Sequence, residues 1–295
     1  MGVRAALAVH PGSGHGAAAR AAAEVEARIR EVADHLTVVA ADTVAEARSL
    51  MVRARDTGLD VLVVLGGDGS VHQGVQFCAD HDVALAVVPA GTGNDLARAL
   101  GGPVEPLAAA DAVAAAIASG ARRRIDLGRV AGGPWFASVL CAGFDSAVNE
   151  RVNRMRWPHG RRRYDLAIVA ELARLRPREL GVETETERLE LEATMVAVGN
   201  TRFYGGGIPV CPSADPADGF LDVTLVERAS RLDLLRILPT LRTGDHVRHR
   251  FVRTLRARRV ELGPDNGWVA YADGDRIGPL PAAVDCVPGA VELIG

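Results

Sequence analysis

Apolar and polar positions follow two different periods along the first 120 residues. Val61-Leu62-Val63-Val64-Leu65 is an unbroken apolar run of strand length that ends in Gly66-Gly67-Asp68-Gly69-Ser70. Leu85-Ala86-Val87-Val88 is a second run, ending in Pro89-Ala90-Gly91-Thr92-Gly93-Asn94-Asp95, with a helical pattern after it. Runs of this kind read as parallel strands buried on both faces. Ala5–Val9 and Leu36–Ala40 are further strand candidates. Residues 17–33 are Ala-rich, with Val25, Ile29 and Val32 on one helical stripe. Asp42 or Thr43 can cap a helix over Ala45–Arg55, with Gly58 beyond its end. Strand and helix in alternation, with short connections, imply a parallel sheet covered by helices. Ligands on such sheets bind at the carboxyl ends of the strands, where both glycine loops lie.

The pattern changes after about residue 122. Leu189–Val198, Leu221–Glu227, Arg258–Leu262 and Trp268–Ala272 read as strands, with one helical stretch at Arg163–Arg176. This predicts a mainly antiparallel β domain over residues 126–283, following an α/β domain over 1–125. A last strand at Ala290–Ile294 can return to the first domain, so that 284–295 rejoins it.

Glycine permits φ > 0 and a close approach of backbone to an anion. Successive N–H groups then form an anion-binding concavity without a cationic side chain. Two such loops side by side point to a nucleotide phosphate site, with Gly66, Gly67, Gly69, Ser70, Thr92, Gly93 and Asn94 as its candidates. Asp68, Asp95 and Asp126 stand at loop or strand-end positions and are of the type that Mg²⁺ takes. Asp95 can equally cap the helix from Leu96 onward, and Asp126 can be a turn carboxylate.

Composition narrows the chemistry. With 48% hydrophobic and 24% charged residues, the chain is an ordinary globular protein, and its net charge of −3 gives no reason to expect a nucleic-acid partner. All the positive charge is arginine and no lysine occurs, which excludes a lysine Schiff base and a Walker-A loop. A phosphate clamp here must use arginine, backbone amides or metal; Arg20, Arg98 and Arg202 are candidates. Cys78, Cys141, Cys211 and Cys286 form no CxxC pair and read as buried thiols in a reducing cytosol. There is no signal pattern, and the apolar runs are far short of the ~20 residues of a transmembrane helix. The basic run Arg161-Arg162-Arg163, with Arg154, Arg156 and Trp157, can meet anionic headgroups or be a solvated loop and helix start.

Motifs in fixed order extend the reading. Beside GGDGS at 66–70 and PAGTGNDLARAL at 89–100 stand Pro11–Gly14, Arg124–Gly128, Ala142–Asp145, Tyr204–Gly207, Asp215–Asp222 and Ala272–Asp275. Together they resemble the diacylglycerol kinase catalytic domain of bacterial lipid kinases and sphingosine kinases, from residue 10 to about 275. GGDG alone also occurs in NAD kinases and phosphofructokinases. The resemblance implies an N-terminal α/β domain like that of those enzymes, then a β-sandwich for the lipid substrate, with the active site in the cleft. It implies ATP and Mg²⁺, and transfer of the γ-phosphoryl group to a lipid hydroxyl, foremost that of diacylglycerol. The alternatives are a sphingoid base, another glycerolipid or NAD as acceptor, or a catalytically silent lipid- or nucleotide-binding regulator. The implied partner is a lipid at the inner membrane surface, met by a cytoplasmic, peripheral protein without a transmembrane segment; a homodimer is open.

The resemblance also assigns residues. Asp68, Asp95 and Asp126 organise a water–Mg²⁺–ATP network. Asp273 takes the proton of the lipid hydroxyl, with Asp275 orienting it or sharing the role. Asp215 and Phe220, through main-chain carbonyls, and Asp218, through its carboxylate, hold a structural Mg²⁺. Three positions depart from the family pattern. Asp275 replaces a glutamate. His10 replaces an asparagine, and can contact nucleotide or pack in the core. Ala40 or Ala41 stands where a nucleotide-contacting threonine is usual, with Thr43 close by.

Overall fold

The computed structural model describes residues 2–10, 12–41, 43–155, 157 and 161–295, and only the backbone of His15 and residues 161–165. Pro11, Asp42, Arg156 and the side chains of Arg161, Arg162 and Arg163, named above, lie outside the described residues. The chain forms two compact units. One is Met1–Leu127 with Gly205–Gly207 and Val287–Gly295; the other is Gly128–Tyr204 with Ile208–Cys286.

In the first unit, β1 (Arg4–Val9), α1 (Ala17–Arg30), β2 (His35–Ala40), α2 (Val44–Asp56), β3 (Val61–Gly66), α3 (Asp68–His81), β4 (Ala84–Pro89), α4 (Asp95–Ala99) and α5 (Pro106–Ser119) follow in order. The four strands pair in parallel in the order β4-β3-β1-β2. Every residue of β3 is buried, because helices cover both of its faces. Val61, Val63 and Leu65 pack with Val25 and Ile29 of α1 and Ala110 and Val113 of α5. On the other face α3 sits so close that a Cβ on Gly74 would come within 2.6 Å of Val64 Cγ2. Burying one such Val or Leu side chain contributes about 1.5–3 kcal/mol. Thr43 caps α2, its Oγ1 accepting from Glu46 N at 3.2 Å. Val32 lies beyond the end of α1, which stops at Arg30.

In the second unit the strands pair antiparallel. They are β5 (Arg122–Val130, which begins in the first unit), β6 (Trp135–Phe136), β7 (Val139–Gly143), β8 (Arg178–Glu183), β9 (Arg188–Gly199), β10 (Phe203–Tyr204), β11 (Ile208–Pro209), β12 (Leu221–Glu227), β13 (Val252–Ala257), β14 (Arg259–Gly263), β15 (Val269–Ala272), β16 (Asp275–Pro279) and β17 (Ala282–Ile294, which ends in the first unit). The long β9 pairs with β8 over its first half and runs between β7 and β12 over its second. Leu140, Val182, Val196, Leu225, Val260 and Val284 share one core, which makes this unit a β-sandwich. Three helices accompany it: α6 (Phe144–Arg154), α7 (Arg161–Ala173) and α8 (Arg231–Thr240). The sequence predicts α7 to run to Arg176. It stops at Ala173, and Pro177 disfavours helical backbone at Arg176, the residue before it. Leu293 near the end of β17 pairs in parallel with Leu85 of β4. Cys78, Cys141 and Cys211 are buried and Cys286 is half-buried.

Candidate active site

The two glycine loops of the first unit interlock. β3 passes almost directly into α3, so Asp68 is half-buried and the first helical residue, where the sequence suggests a loop or strand-end position. Its carboxylate accepts from Asn94 N at 2.9 Å and Asp95 N at 2.7 Å. Asp68 therefore caps α4, an acidic group at a helix N-terminus. Asn94 folds its own loop: Oδ1 accepts from Gly91 N at 2.9 Å and Nδ2 donates to Gly91 O at 3.1 Å.

The reason for glycine here differs from the one expected. Positive φ falls on Asn94, at 56°, and on none of Gly66, Gly67 and Gly69. Gly66 and Gly67 are set by close approach instead, a Cβ on Gly66 standing 2.5 Å from Ser70 Cβ and one on Gly67 3.2 Å from Gly91 Cα, whereas the space beside Gly69 is open. A Cβ on Gly91 would stand 2.6 Å from Gly67 Cα, and one on Gly93 would stand 2.4 Å from Asp68 Oδ2. Thr92 and Gly69 are exposed on this framework, and Ser70 Oγ lies 3.3 Å from Ser13 Oγ. His10 is exposed at the end of β1, which removes the core-packing alternative.

Asp95 does not cap its own helix. Its oxygens accept from Gly206 N at 3.1 Å and Gly207 N at 2.6 Å, within the same unit. Burial, reinforced by the neighbouring Asp68 carboxylate, raises the Asp95 pKa above the ordinary carboxylate value, against the pull of the Gly206 and Gly207 amides. Asp126 is a buried residue within β5, where a turn was one expectation; its Oδ1 accepts from Gly289 N at 2.8 Å. Asp68 and Asp95 are thus brought together, while Asp126 is held against a different segment. Arg98 donates to Gly93 O at 2.8 Å and Arg202 to Ala214 O at 3.2 Å.

In the second unit, Asp273 and Asp275 are held differently. Asp273 has φ 49° and accepts from Ala137 N, Ser138 N and Val139 N at 2.8, 2.8 and 3.2 Å. Asp275 is exposed, and the space beside Gly274 is open.

In the 215–222 loop, Asp215 accepts from Ala217 N at 3.1 Å and Asp218 Oδ1 from Phe220 N at 3.0 Å. Arg256 pairs with Asp218 Oδ2 and lies over the Phe220 ring at 4.4 Å. Asp222, outside the expected set, is drawn in. Its buried Oδ2 has no hydrogen-bond partner, and burial first, then Asp218 and Asp215, raise its pKa while Arg256 opposes. An orphaned carboxylate oxygen beside two further acids suits a hard cation. Among the described residues, however, no three His, Cys, Asp or Glu are gathered closely enough to form a ready metal site.

Two models of protein families match the chain. Residues 4–130 match the diacylglycerol kinase catalytic domain, and residues 138–295 match the YegS C-terminal NAD kinase β-sandwich-like domain. A diacylglycerol kinase of Mycobacterium tuberculosis is 44% identical over 291 residues, which is 97% of this chain and 93% of that one. The chain belongs to the diacylglycerol kinase family. A diacylglycerol kinase of Bacillus subtilis is 29% identical over 255 residues, 85% of this chain and 81% of that one. The fold also matches a crystal structure of a diacylglycerol kinase from Bacillus anthracis. The TM-score is 0.74 and the identity 18%, over 99% of this chain and 96% of that one.

Within this member of the family, two motifs quoted from the sequence meet in a polar cluster to which sequence reasoning gave no role. Asp145 of the Ala142–Asp145 motif accepts from Tyr204 OH at 2.8 Å and from Cys141 Sγ at 3.0 Å. Burial raises the Asp145 pKa, with these two donors opposing. Gly143 before it has φ 99°, and a Cβ there would meet Thr194 O at 2.7 Å. The signal in the sequence was the pairing of a buried-looking strand end with an acid; its partner lies 59 residues away. Among the described residues, no helix is long and apolar enough to cross a membrane.

Proposed function

We propose that this chain transfers the γ-phosphoryl group of ATP to the hydroxyl of a membrane lipid, with diacylglycerol as acceptor and phosphatidic acid as product. One observation carries the reading: the interlocked loops, in which Asp68 fixes α4 and leaves Gly69, Ser70 and Thr92 at the surface of a glycine-rich framework. Phosphoryl transfer asks mainly for positioning and for neutralisation of charge. Backbone amides and the Ser70 and Thr92 hydroxyls supply the first. Mg²⁺ bound with the nucleotide would supply the second, held by Asp68 and Asp95, whose carboxylates keep acceptor capacity beyond the amides they already bind.

A lipid hydroxyl also needs a base. A carboxylate offers about four lone-pair sites, and Asp273 commits its oxygens to three backbone N–H groups at the start of β7 and in the bend before it. We assign the proton to Asp275 and give Asp273 the task of fixing the turn that presents it. This reverses the order expected from the sequence. Asp215, Asp218 and Asp222 would hold a second, structural cation.

The experiment is turnover of Asp68→Asn at saturating ATP and lipid. A fall on the order of 10²–10³-fold is expected, as for loss of a preorganised charge-stabilising group. Near-normal turnover with unchanged Mg²⁺ dependence would overturn the assignment.

A further inference from the structure

Between β6 and β7 the chain bends through Ala137 and Ser138, which belong to neither strand and are buried. Buried backbone groups outside a ladder must find other partners. On the N–H side the bend and the first residue of β7 face Asp273, whose Oδ2 accepts from Ala137 N and whose Oδ1 accepts from Ser138 N and Val139 N. On the C=O side the bend faces Asn200, the residue after β9. Asn200 Nδ2 donates to Ala137 O at 2.9 Å. Asn200 N and Thr201 N donate to Ser138 O at 2.9 and 3.1 Å. Asn200 and Thr201 are fully buried. All of these residues lie in the β-rich unit.

The two sets of hydrogen bonds share peptide groups. Ala137 C=O and Ser138 N–H belong to one planar peptide, and Ser138 C=O and Val139 N–H to the next. Each peptide therefore accepts from the Asn200 side and donates to Asp273 Oδ1. Hydrogen bonds in such a chain polarise and strengthen one another. Asp273 N returns to Val139 O at 3.1 Å, which ties the turn to β7. We infer that Asn200 is a positioning residue for phosphoryl transfer: through these two peptides it fixes Asp273, and with it the turn that presents Asp275. The place requires an amide side chain, since a carboxylate or an alkyl group of the same size brings no donor to Ala137 O. Asp273→Asn keeps one oxygen for the bend, whereas loss of the Asn200 side chain frees the bend itself. The inference rests on Asp275 as the base.

The test is a double-mutant cycle with the full chain. Asn200→Ala should lower kcat by roughly 10- to 100-fold, the scale of a displacement of up to about 1 Å at the reacting groups, with the KM for ATP unchanged. In an Asp275→Asn background the same change should cost less than about threefold more, because the group it positions is gone. Asn200→Ser, which keeps a hydroxyl donor, should fall between alanine and wild type, and it carries the cycle if the alanine variant does not fold. Amide exchange over residues 137–139, read by mass spectrometry without turnover, should be faster in both variants than in wild type. Three results overturn the inference: folded Asn200 variants with wild-type kcat, an equal loss in both backgrounds, or unchanged exchange. Absence of product with every lipid tried would defeat the functional reading, and wild-type turnover by Asp275→Asn the base assignment. The inference falls with either, whereas the three results above defeat it alone.

Discussion

Two aspartates on one tight turn carry opposite burdens. Asp273 spends its carboxylate on backbone donors that are 134 to 136 residues away in sequence, whereas Asp275 stands exposed past an open Gly274. Asp275→Asn should lower kcat by roughly 10²–10⁴-fold, the span of general-base contributions, with the KM for ATP unchanged. Asp275→Glu should stay active. Asp273→Asn should chiefly lower the melting temperature, since an amide accepts through one oxygen only. A dead Asp273→Asn that melts like wild type, beside an active Asp275→Asn, would return the base to Asp273. Sequence reasoning found the pair but not this division, because nothing near Asp273 in the chain announces three distant N–H partners.

His246, fully buried, is another residue whose setting only the fold reveals. Its Nε2 is 3.0 Å from Val210 O, its Nδ1 has no partner, and burial pushes its pKa below 6.5. The folded state therefore holds a neutral ring. Its contribution to stability is complete above pH 6.5 and is lost as pH falls through that value, because the unfolded chain takes up the proton first. Melting temperature should drop between pH 7.5 and 5.5, and His246→Gln should flatten that part of the profile. An unchanged slope in the variant would remove His246 as the cause.

At the scale of elements, the apolar runs announced β3 and β4 because parallel strands covered on both faces leave unbroken hydrophobic stretches. α2 was readable from its Thr43 cap. The second half was harder. α8 starts with Ser230 Oγ accepting from Asp233 N while Asp233 accepts from Ser230 N, a capping box built on aspartate, and Pro239 inside the helix reads as a breaker. α6 follows β7 with no polar linker, so strand and helix merge in the pattern. The 215–222 loop was visible as a turn, but Asp222 belongs to β12 and its orphaned oxygen is a tertiary fact. If this loop takes Mg²⁺, titration with the ion should raise the melting temperature by linkage. Asp218→Ala and Asp222→Asn should reduce that gain, and Arg256→Ala, which frees Asp218, should enlarge it. Identical Mg²⁺ responses in all four proteins would leave the loop as a turn alone.

Over the whole molecule, the shift from an αβ alternation to strand-dominated sequence near residue 122 reflects a real change of architecture, from parallel to antiparallel pairing. The return of the last strand was readable; what period and composition could not convey is that Gly205–Gly207 also group with the first unit, or which residues they and Val287–Gly295 meet there. Those segments satisfy Asp95 and Asp126 through hydrogen bonds spanning 111 to 163 residues, and no local pattern encodes such pairings. Acceptor identity was equally hidden, since apolar residues that would meet a lipid look like core residues in a sequence. The central claim is phosphoryl transfer from ATP to a lipid hydroxyl, and the most direct measurement is chemical. The protein should be incubated with γ-³²P-labelled ATP, Mg²⁺ and diacylglycerol in mixed micelles, and the labelled lipid identified. The account predicts labelled phosphatidic acid that is absent with Asp68→Asn. No labelled lipid from diacylglycerol or any other lipid acceptor, with active protein and bound nucleotide, would contradict it.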